Sequence, residues 1–257
     1  MNSIERRNEI MRMLKKWGTA DVQTLAERTG VSKMTIRNDL VFLADQGMIV
    51  RTYGGAVLAN QKDMVRLVSN VLNEYQAQKK GIASEAAKLV CGGMRVLIDT
   101  GSTTFQLVPF LKDIPITIVT NSLLVAGRIS ADSIPDLIVV GGDLSKYCMG
   151  FVGSMALSGL EKIYADVLFL GAAGYSIKDN VLTCENLQEA AVKKCMIEHA
   201  RKVVLLADSS KHERRGFVAY AKMEDIDVLV TDRMDSKDID ELKGMDVDVI
   251  VAGTAAN

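Results

Sequence analysis

The chain has no C-x-x-C pair. Its four cysteines, Cys91, Cys148, Cys184 and Cys195, are scattered, and only His199 and His212 could join them as soft ligands. A structural zinc site needs a tetrahedral set of Cys and His at close spacing, so no metal is expected, and no cofactor either. The thiols read as reduced and buried, as in an intracellular protein. No apolar run approaches the ~18–20 residues of a membrane span. The opening MNSIERRNEI is charged and lacks a secretory apolar region. The expectation is a soluble, cytoplasmic protein. The chain also lacks internal repeats, low-complexity tracts and the G-x-x-x-x-G-K-[ST] loop, which disfavours nucleotide hydrolysis.

Net charge is nearly absent as well, 31 Lys+Arg against 32 Asp+Glu over 257 residues. The balance is uneven, however. Residues 1–60 hold nine basic and six acidic side chains, about +3, so the remainder carries about −4. A basic head on an acidic body suits phosphate contact at one end only.

That head is patterned. Ile4, Ile10, Met11, Met13 and Leu14 among charges predict an amphipathic helix over 3–16, ended near Gly18. Val22, Leu25 and Ala26 predict a short second helix closed by Gly30. Ser32 stands at an N-cap position, and Ile36, Leu40 and Leu43 recur at i, i+4, i+7, with Gly47 as the stop. Met48–Arg51 and Ala56–Leu58 read as two strands around Gly54-Gly55. Helix, tight turn, helix and glycine hairpin make a winged helix-turn-helix, a module that reads DNA.

If Ile36, Leu40 and Leu43 face inward, Lys33, Thr35, Arg37 and Asn38 face outward at the start of the reading helix, where side chains reach bases. Arg37 suits guanine O6/N7 and Asn38 suits adenine N6/N7. Ser32, Lys33 and Thr35 suit phosphates, and Arg51 and Tyr53 in the wing suit backbone or minor groove. Asp39 is assigned to structure, because a carboxylate facing DNA is repelled. The expected boundaries are a DNA-binding domain over 1–58, a polar linker over 59–76 and a second domain over 77–257.

In the second domain AQKKGIASEAAKLV reads as a helix. RVLID, ITIVT, DLIVVGG, DVLFLG, KVVLLAD, DVLVTD and DVDVIVAG are short aliphatic runs, with helical stretches at 103–112, 122–130, 185–201 and 236–243 among them. Such alternation predicts an α/β fold with a mostly parallel sheet covered on both faces. Ligands of such sheets bind beyond the carboxyl ends of the strands.

The strand-end loops are polar. Asp99-Thr100-Gly101-Ser102-Thr103-Thr104 offers backbone N–H groups, a helix dipole and hydroxyls to a phosphate. Asn121 follows another strand, Gly141 and Gly142 a third, Gly171 a fourth, and Asp208-Ser209-Ser210-Lys211 a fifth. Converging, they could hold a small polyhydroxylated phosphate, with Lys211 balancing charge and Asp99 or Asp208 accepting from hydroxyls. Plainer roles compete: such residues also cap helices and make turns, the favoured reading for Asn121-Ser122. Glu189 and Lys193, four apart, are either an ordinary helix-surface ion pair or the border of the pocket.

S-K-M-T-I-R-N-D-L followed by R-T-Y-G-G-A-V resembles the DNA-binding signature of the DeoR family of bacterial sugar-metabolism regulators. D-T-G-S-T-T, T-N-S, G-G, the G-x-x-G loop and D-S-S-K stand in the order of that family's sensor domain. The resemblance covers nearly the whole chain. It implies operator binding by the winged helix, and a sensor domain similar to ribose-5-phosphate isomerase-like proteins that binds a phosphorylated sugar. Carried over residue by residue, Gly101, Ser102, Thr103 and Lys211 match that site, with Asp99, Glu189 and Lys193. The chain departs from the family at Arg37-Asn38, where many members have two arginines, and at Tyr53, where histidine is common. R-T-Y-G-G and F-Q-L-V-P are most similar to glucitol-operon-type repressors.

The expectation is therefore a transcriptional regulator, a repressor of a carbohydrate catabolic operon. Its partners would be operator double-stranded DNA, a phosphorylated sugar or sugar alcohol, and other copies of itself in a dimer or tetramer. Two alternatives stay open at this level. One is a sugar-phosphate isomerase with an accessory DNA domain, using Asp99, Glu185 or Glu189 as base. The other is a protein-interaction module in place of a DNA-binding one.

Overall fold

The computed structural model describes residues 3–45, 48–52, 54–58, 74–129 and 133–253. The chain divides into two compact units, residues 1–71 and 72–257.

The first unit runs α1 (Ser3–Trp17), β1 (Thr19–Asp21), α2 (Val22–Thr29), α3 (Lys33–Asp45), β2 (Ile49–Thr52) and β3 (Gly55–Leu58). Helices α2 and α3 start where a side chain accepts an orphan N–H. Asp21 Oδ1 accepts from Thr24 N at 2.8 Å to start α2, and Ser32 Oγ accepts from Thr35 N at 3.1 Å to start α3. Gly30 closes α2 by donating to Ala26 O. Ile10, Leu14, Leu25, Ile36, Leu40 and Leu43 meet in one core, as their helical spacing requires. The wing has a third strand that the sequence reading missed: β1 pairs antiparallel with β3, giving the order β1-β3-β2. Thr-Ala-Asp is too short and too polar to show alternation. The expected Gly47 stop, Tyr53 and most of the expected linker lie outside the described residues.

In the second unit all seven aliphatic runs become strands of one parallel sheet. They are β4 (Arg95–Ile98), β5 (Thr117–Thr120), β6 (Asp136–Val139), β9 (Val167–Leu170), β12 (Val203–Leu206), β14 (Val228–Thr231) and β15 (Asp248–Val251). The order is β15-β14-β12-β9-β4-β5-β6. Helices α4 (Gln76–Ala87), α5 (Ser102–Phe105), α6 (Val108–Leu111), α7 (Leu123–Arg128), α8 (Ser154–Leu160), α9 (Leu187–Glu198) and α10 (Ser236–Lys243) complete it. Neighbouring strand residues divide between two cores. Leu97, Leu168, Leu205 and Leu229 pack with Leu160 of α8, Met196 of α9 and Leu242 of α10. Val96, Ile98, Phe169, Val204 and Val230 pack with Ile82 of α4, Leu111 of α6 and Val125 of α7. Period-two side chains and two apolar faces are what a doubly covered sheet demands.

The sequence reading missed the smaller strands. β7 (Asp143–Ser145) and β8 (Gly150–Val152) form a hairpin, and β10 (Gly174–Ser176), β11 (Val181–Cys184) and β13 (Val218–Ala221) form an antiparallel sheet. Each has only three or four residues. The single helix expected over 103–112 is two short ones, α5 and α6. The buried-thiol expectation needs correction too: Cys184 and Cys195 are buried, but Cys148 is half-buried and Cys91 is exposed in the turn between α4 and β4. Burial pushes the Cys184 thiol up to about 12 and the Cys148 thiol up to about 11. Among the described residues no helix is long and apolar enough to cross a membrane.

Candidate functional site

The first unit presents α3. Lys33, Arg37 and Asn38 are exposed, whereas Ile36, Leu40 and Leu43 are buried, which is the division the helical period predicts. Ser32 and Thr35 are partly committed: their hydroxyls lie 2.9 Å apart, and Ser32 also caps the helix. Arg51 is half-buried on β2. Asp39 is buried, as expected of a structural residue. Its carboxylate accepts from Arg6 Nε at 2.5 Å and from Arg7 Nε at 2.9 Å, tying α3 to α1. The Arg7 guanidinium also lies 3.6 Å from the Phe42 ring centre.

In the second unit the strand order locates the crevice. From β4 the chain moves outward through β5 and β6, then returns to the other side of β4 at β9 and proceeds through β12, β14 and β15. The order therefore reverses between β4 and β9. Their carboxyl ends carry Asp99 and Gly171, and open α/β sheets bind ligands at this reversal.

These two ends are bonded together. Gly171 N donates to Asp99 Oδ2 at 3.0 Å. Lys193, projecting from α9, donates to the same carboxylate oxygen and to Gly171 O at 3.0 Å. The Tyr220 hydroxyl donates to Gly171 O, also at 3.0 Å. Glu189 Oε1 is 3.4 Å from Lys193 Nζ, one helical turn away. Lys193 and Asp99 are fully buried, so the surface-pair reading of Glu189 and Lys193 is corrected: the lysine belongs to the core of the site. Burial pulls the Lys193 amine down, but Asp99 and Glu189 outweigh it and hold it well above its usual value. Burial raises the Glu189 carboxyl, and Lys193 offsets part of that. A side chain on Gly171 would place its Cβ 3.0 Å from Thr100 O, so glycine is what lets β9 close on β4.

The Gly101-Ser102-Thr103-Thr104 turn stands directly after Asp99. Gly101 has φ 144°, a conformation that favours glycine, and α5 starts there. Thr103 and Thr104 are buried and Ser102 is half-buried. Thr104 corrects an expectation, because its hydroxyl contacts Asp99 O at 2.9 Å and Gly101 O at 3.0 Å, and its proton is used inside the turn. Asp99 is likewise occupied: Oδ2 by Lys193 and Gly171, Oδ1 by the Thr100 hydroxyl at 3.3 Å. Fully buried and with three of its roughly four acceptor sites taken, it is not placed to take sugar hydroxyls or to act as a free base.

The remaining loops are distributed along the same carboxyl edge. Asn121, at the end of β5, donates from Nδ2 to Phe151 O at 3.0 Å, while its Oδ1 is buried and unpartnered. Gly141 is exposed and Gly142 half-buried between β6 and β7. Asp208, at the end of β12, accepts from Ser210 through Oδ1, and its buried Oδ2 is unpartnered. Lys211 follows in the same short turn, Ser209–Lys211.

The sequence reading missed Lys79. This lysine of α4 is buried, with an amine held below its usual value by burial, pulled back up by Asp208 and pushed down by Lys211. It therefore stands within electrostatic reach of both. The signal was present: Lys79 occupies the i position of the stripe continued by Ile82, Ala83 and Ala86, all buried, where an apolar residue belongs. At the opposite, amino end of the sheet an open groove is lined by Cys91, Asp166, Arg201 and Asp227 among others. Two of its carboxylates serve the fold: Asp166 binds Arg95, and Asp227 accepts from Val203 N at 2.6 Å. Among the described residues no group of His, Cys, Asp and Glu is placed to hold a metal ion.

Residues 6–62 match the DeoR-like helix-turn-helix domain, and residues 74–233 match the DeoR C terminal sensor domain. The chain belongs to the DeoR family. The putative aga operon transcriptional repressor of Escherichia coli O157:H7 is 32% identical over 97% of this chain and 94% of its own. The HTH-type transcriptional repressor GlcR of Bacillus subtilis (strain 168) is 31% identical over 90% and 88%. The glycerol-3-phosphate regulon repressor of Escherichia coli (strain K12) is 30% identical over 90% and 92%. Among solved structures, ribose 5 phosphate isomerase A from Neisseria gonorrhoeae aligns over 53% of either chain, with 19% identity and a TM-score of 0.38. This DeoR-family protein is a transcriptional regulator with a DNA-binding unit and a sensor unit, and not an enzyme.

Proposed function

We propose that the protein represses a carbohydrate catabolic operon in the cytoplasm, and that a phosphorylated sugar or sugar alcohol bound at the β4–β9 crevice controls it. The phosphate would sit on the Gly101-Ser102-Thr103 turn, between Lys79 and Lys211. Hydroxyls of the sugar would donate to Asn121 Oδ1 and Asp208 Oδ2. Asp99, Glu189, Lys193 and Gly171 would hold the crevice in shape, with Gly141 and Gly142 at its β6 side.

The observation that carries this reading is the pair of buried acceptors, Asn121 Oδ1 and Asp208 Oδ2, left without partners on the edge that also carries two lysines. A buried unpaired acceptor costs roughly 1–3 kcal/mol. A polyol phosphate supplies both the donors and the anion that would relieve it. The names of the aga, GlcR and glycerol-3-phosphate relatives are consistent with a carbohydrate-linked signal.

On the DNA side, α3 would enter the major groove, with Arg37 and Asn38 on bases and Ser32, Lys33, Thr35 and Arg51 on phosphates. The DNA-binding domain is taken as 1–58 and the sensor domain as 77–257. The compact units and the two family matches support that division, although α4 already starts at Gln76. Two half-sites read by two copies would give the affinity one small module lacks, so a homo-oligomer is expected. The effector can shift operator binding only by its differential affinity for the two states.

Calorimetric titration with a panel of hexose, pentose and polyol phosphates tests the sensor. One member should bind, and Lys211→Met or Lys79→Met should weaken it roughly 10–100-fold, the loss of one charge-assisted bond each. Operator affinity without effector should stay unchanged. Failure of every sugar phosphate to bind, or unchanged binding by both variants, sinks the proposed site.

A further inference from the structure

Helix α3 presents one side chain that neither the fold nor the reading above uses. Met34 is 63% exposed and takes no part in the core that Ile36, Leu40 and Leu43 join. Helix residues are about 100° apart around the axis, so Met34 projects between Arg37 and Asn38, one turn earlier. It therefore stands in the middle of the exposed stripe and in the first helical turn, the part of a reading helix that reaches base edges.

We propose that Met34 determines sequence preference by packing against the 5-methyl group of a thymine in each half-site. This rests on the reading of α3 as the major-groove helix. The side-chain chemistry selects the base. A thioether offers at best a weak acceptor and no donor. Set against the polar edge of guanine, or the amino groups of adenine or cytosine, it would leave desolvated groups unpaired. The thymine methyl is the apolar group on the major-groove floor, and apolar side chains recognise it. Methionine is also unbranched and adaptable, so it can follow the methyl while Arg37 and Asn38 fix the neighbouring base pairs.

The test uses the full chain and the duplex it selects from a random pool. Each thymine of that duplex is replaced in turn by deoxyuridine, which removes the methyl and nothing else. One position per half-site should lose about fourfold in affinity, the transfer value of one methyl group. Met34→Ala should abolish sensitivity at that position alone. Met34→Leu, which keeps an apolar contact of similar volume, should retain it. Met34 is exposed, so both variants should fold. The proposal is overturned if no thymine responds, or if the response persists undiminished in Met34→Ala. Selection of no preferred duplex at all is a different failure and removes the major-groove reading itself.

Discussion

Asp39→Ala should lower the melting transition of the DNA-binding unit by about 10–20 °C. A buried ion pair broken by removing one partner costs roughly 3–5 kcal/mol. Here the two arginines left behind keep some solvent access, with side-chain exposures of 12% for Arg6 and 26% for Arg7. They can partly rehydrate, so about 2–3 kcal/mol is the better expectation. A module of about 60 residues loses roughly 4–8 °C per kcal/mol, and its total stability is small because its core is small. The variant should therefore also lose most operator binding near physiological temperature, although Asp39 contacts no DNA. Arg6→Ala should cost less, because Arg7 still holds the carboxylate at 2.9 Å. Circular dichroism melts of the full chain, read alongside gel shifts, decide it. An Asp39→Ala protein with an unshifted transition would show that the contact between α1 and α3 does not depend on this carboxylate.

Much of this molecule was legible from its residues, for physical reasons that also explain the gaps. The seven aliphatic runs were legible as strands because a strand buried on both faces must be continuously apolar. β1, β10 and β13 were not, because Thr-Ala-Asp, Gly-Tyr-Ser and Val-Ala-Tyr-Ala are poor in branched aliphatic side chains and rich in residues that strands disfavour. The role of Asp39 followed from electrostatics alone, since a carboxylate cannot face phosphate. The role of Lys193 did not follow. Its four-residue spacing from Glu189 suggests a surface pair, and only the folded sheet brings Asp99, 94 residues earlier, to its amine. Lys79 lay between these cases: its place on an otherwise apolar stripe marked it as unusual, but its neighbours Asp208 and Lys211 come from a distant strand end.

Lys193→Met should destabilise the sensor unit severely while nearly conserving volume. The variant leaves the Asp99 carboxylate wholly buried, with only Gly171 N and the Thr100 hydroxyl to satisfy it. That cost is roughly 3–5 kcal/mol, or about 6–20 °C in a unit of this size. Replacing both partners, as Asp99→Leu with Lys193→Met, should recover only part of the loss: the buried unpaired carboxylate is gone, but Gly171 N loses its acceptor and Glu189 its cation. The pH dependence gives an independent check. The folded amine titrates well above its usual value. Its stabilising contribution is therefore complete below the unfolded lysine value near 10.4 and is lost as pH rises toward the folded value. In the unmodified chain the contribution of the Lys193 amine should stay constant from about pH 6 to 9 and fall only above about pH 10. Because Lys193 also holds Gly171 O, the same variant should loosen the crevice and weaken effector binding without any contact to the phosphate. Chemical denaturation across that pH range, compared with effector titrations of the folded variant, separates the two effects. A variant as stable as the unmodified chain would mean that the β4–β9 junction is held by backbone pairing and packing, with the buried ion pair contributing nothing net.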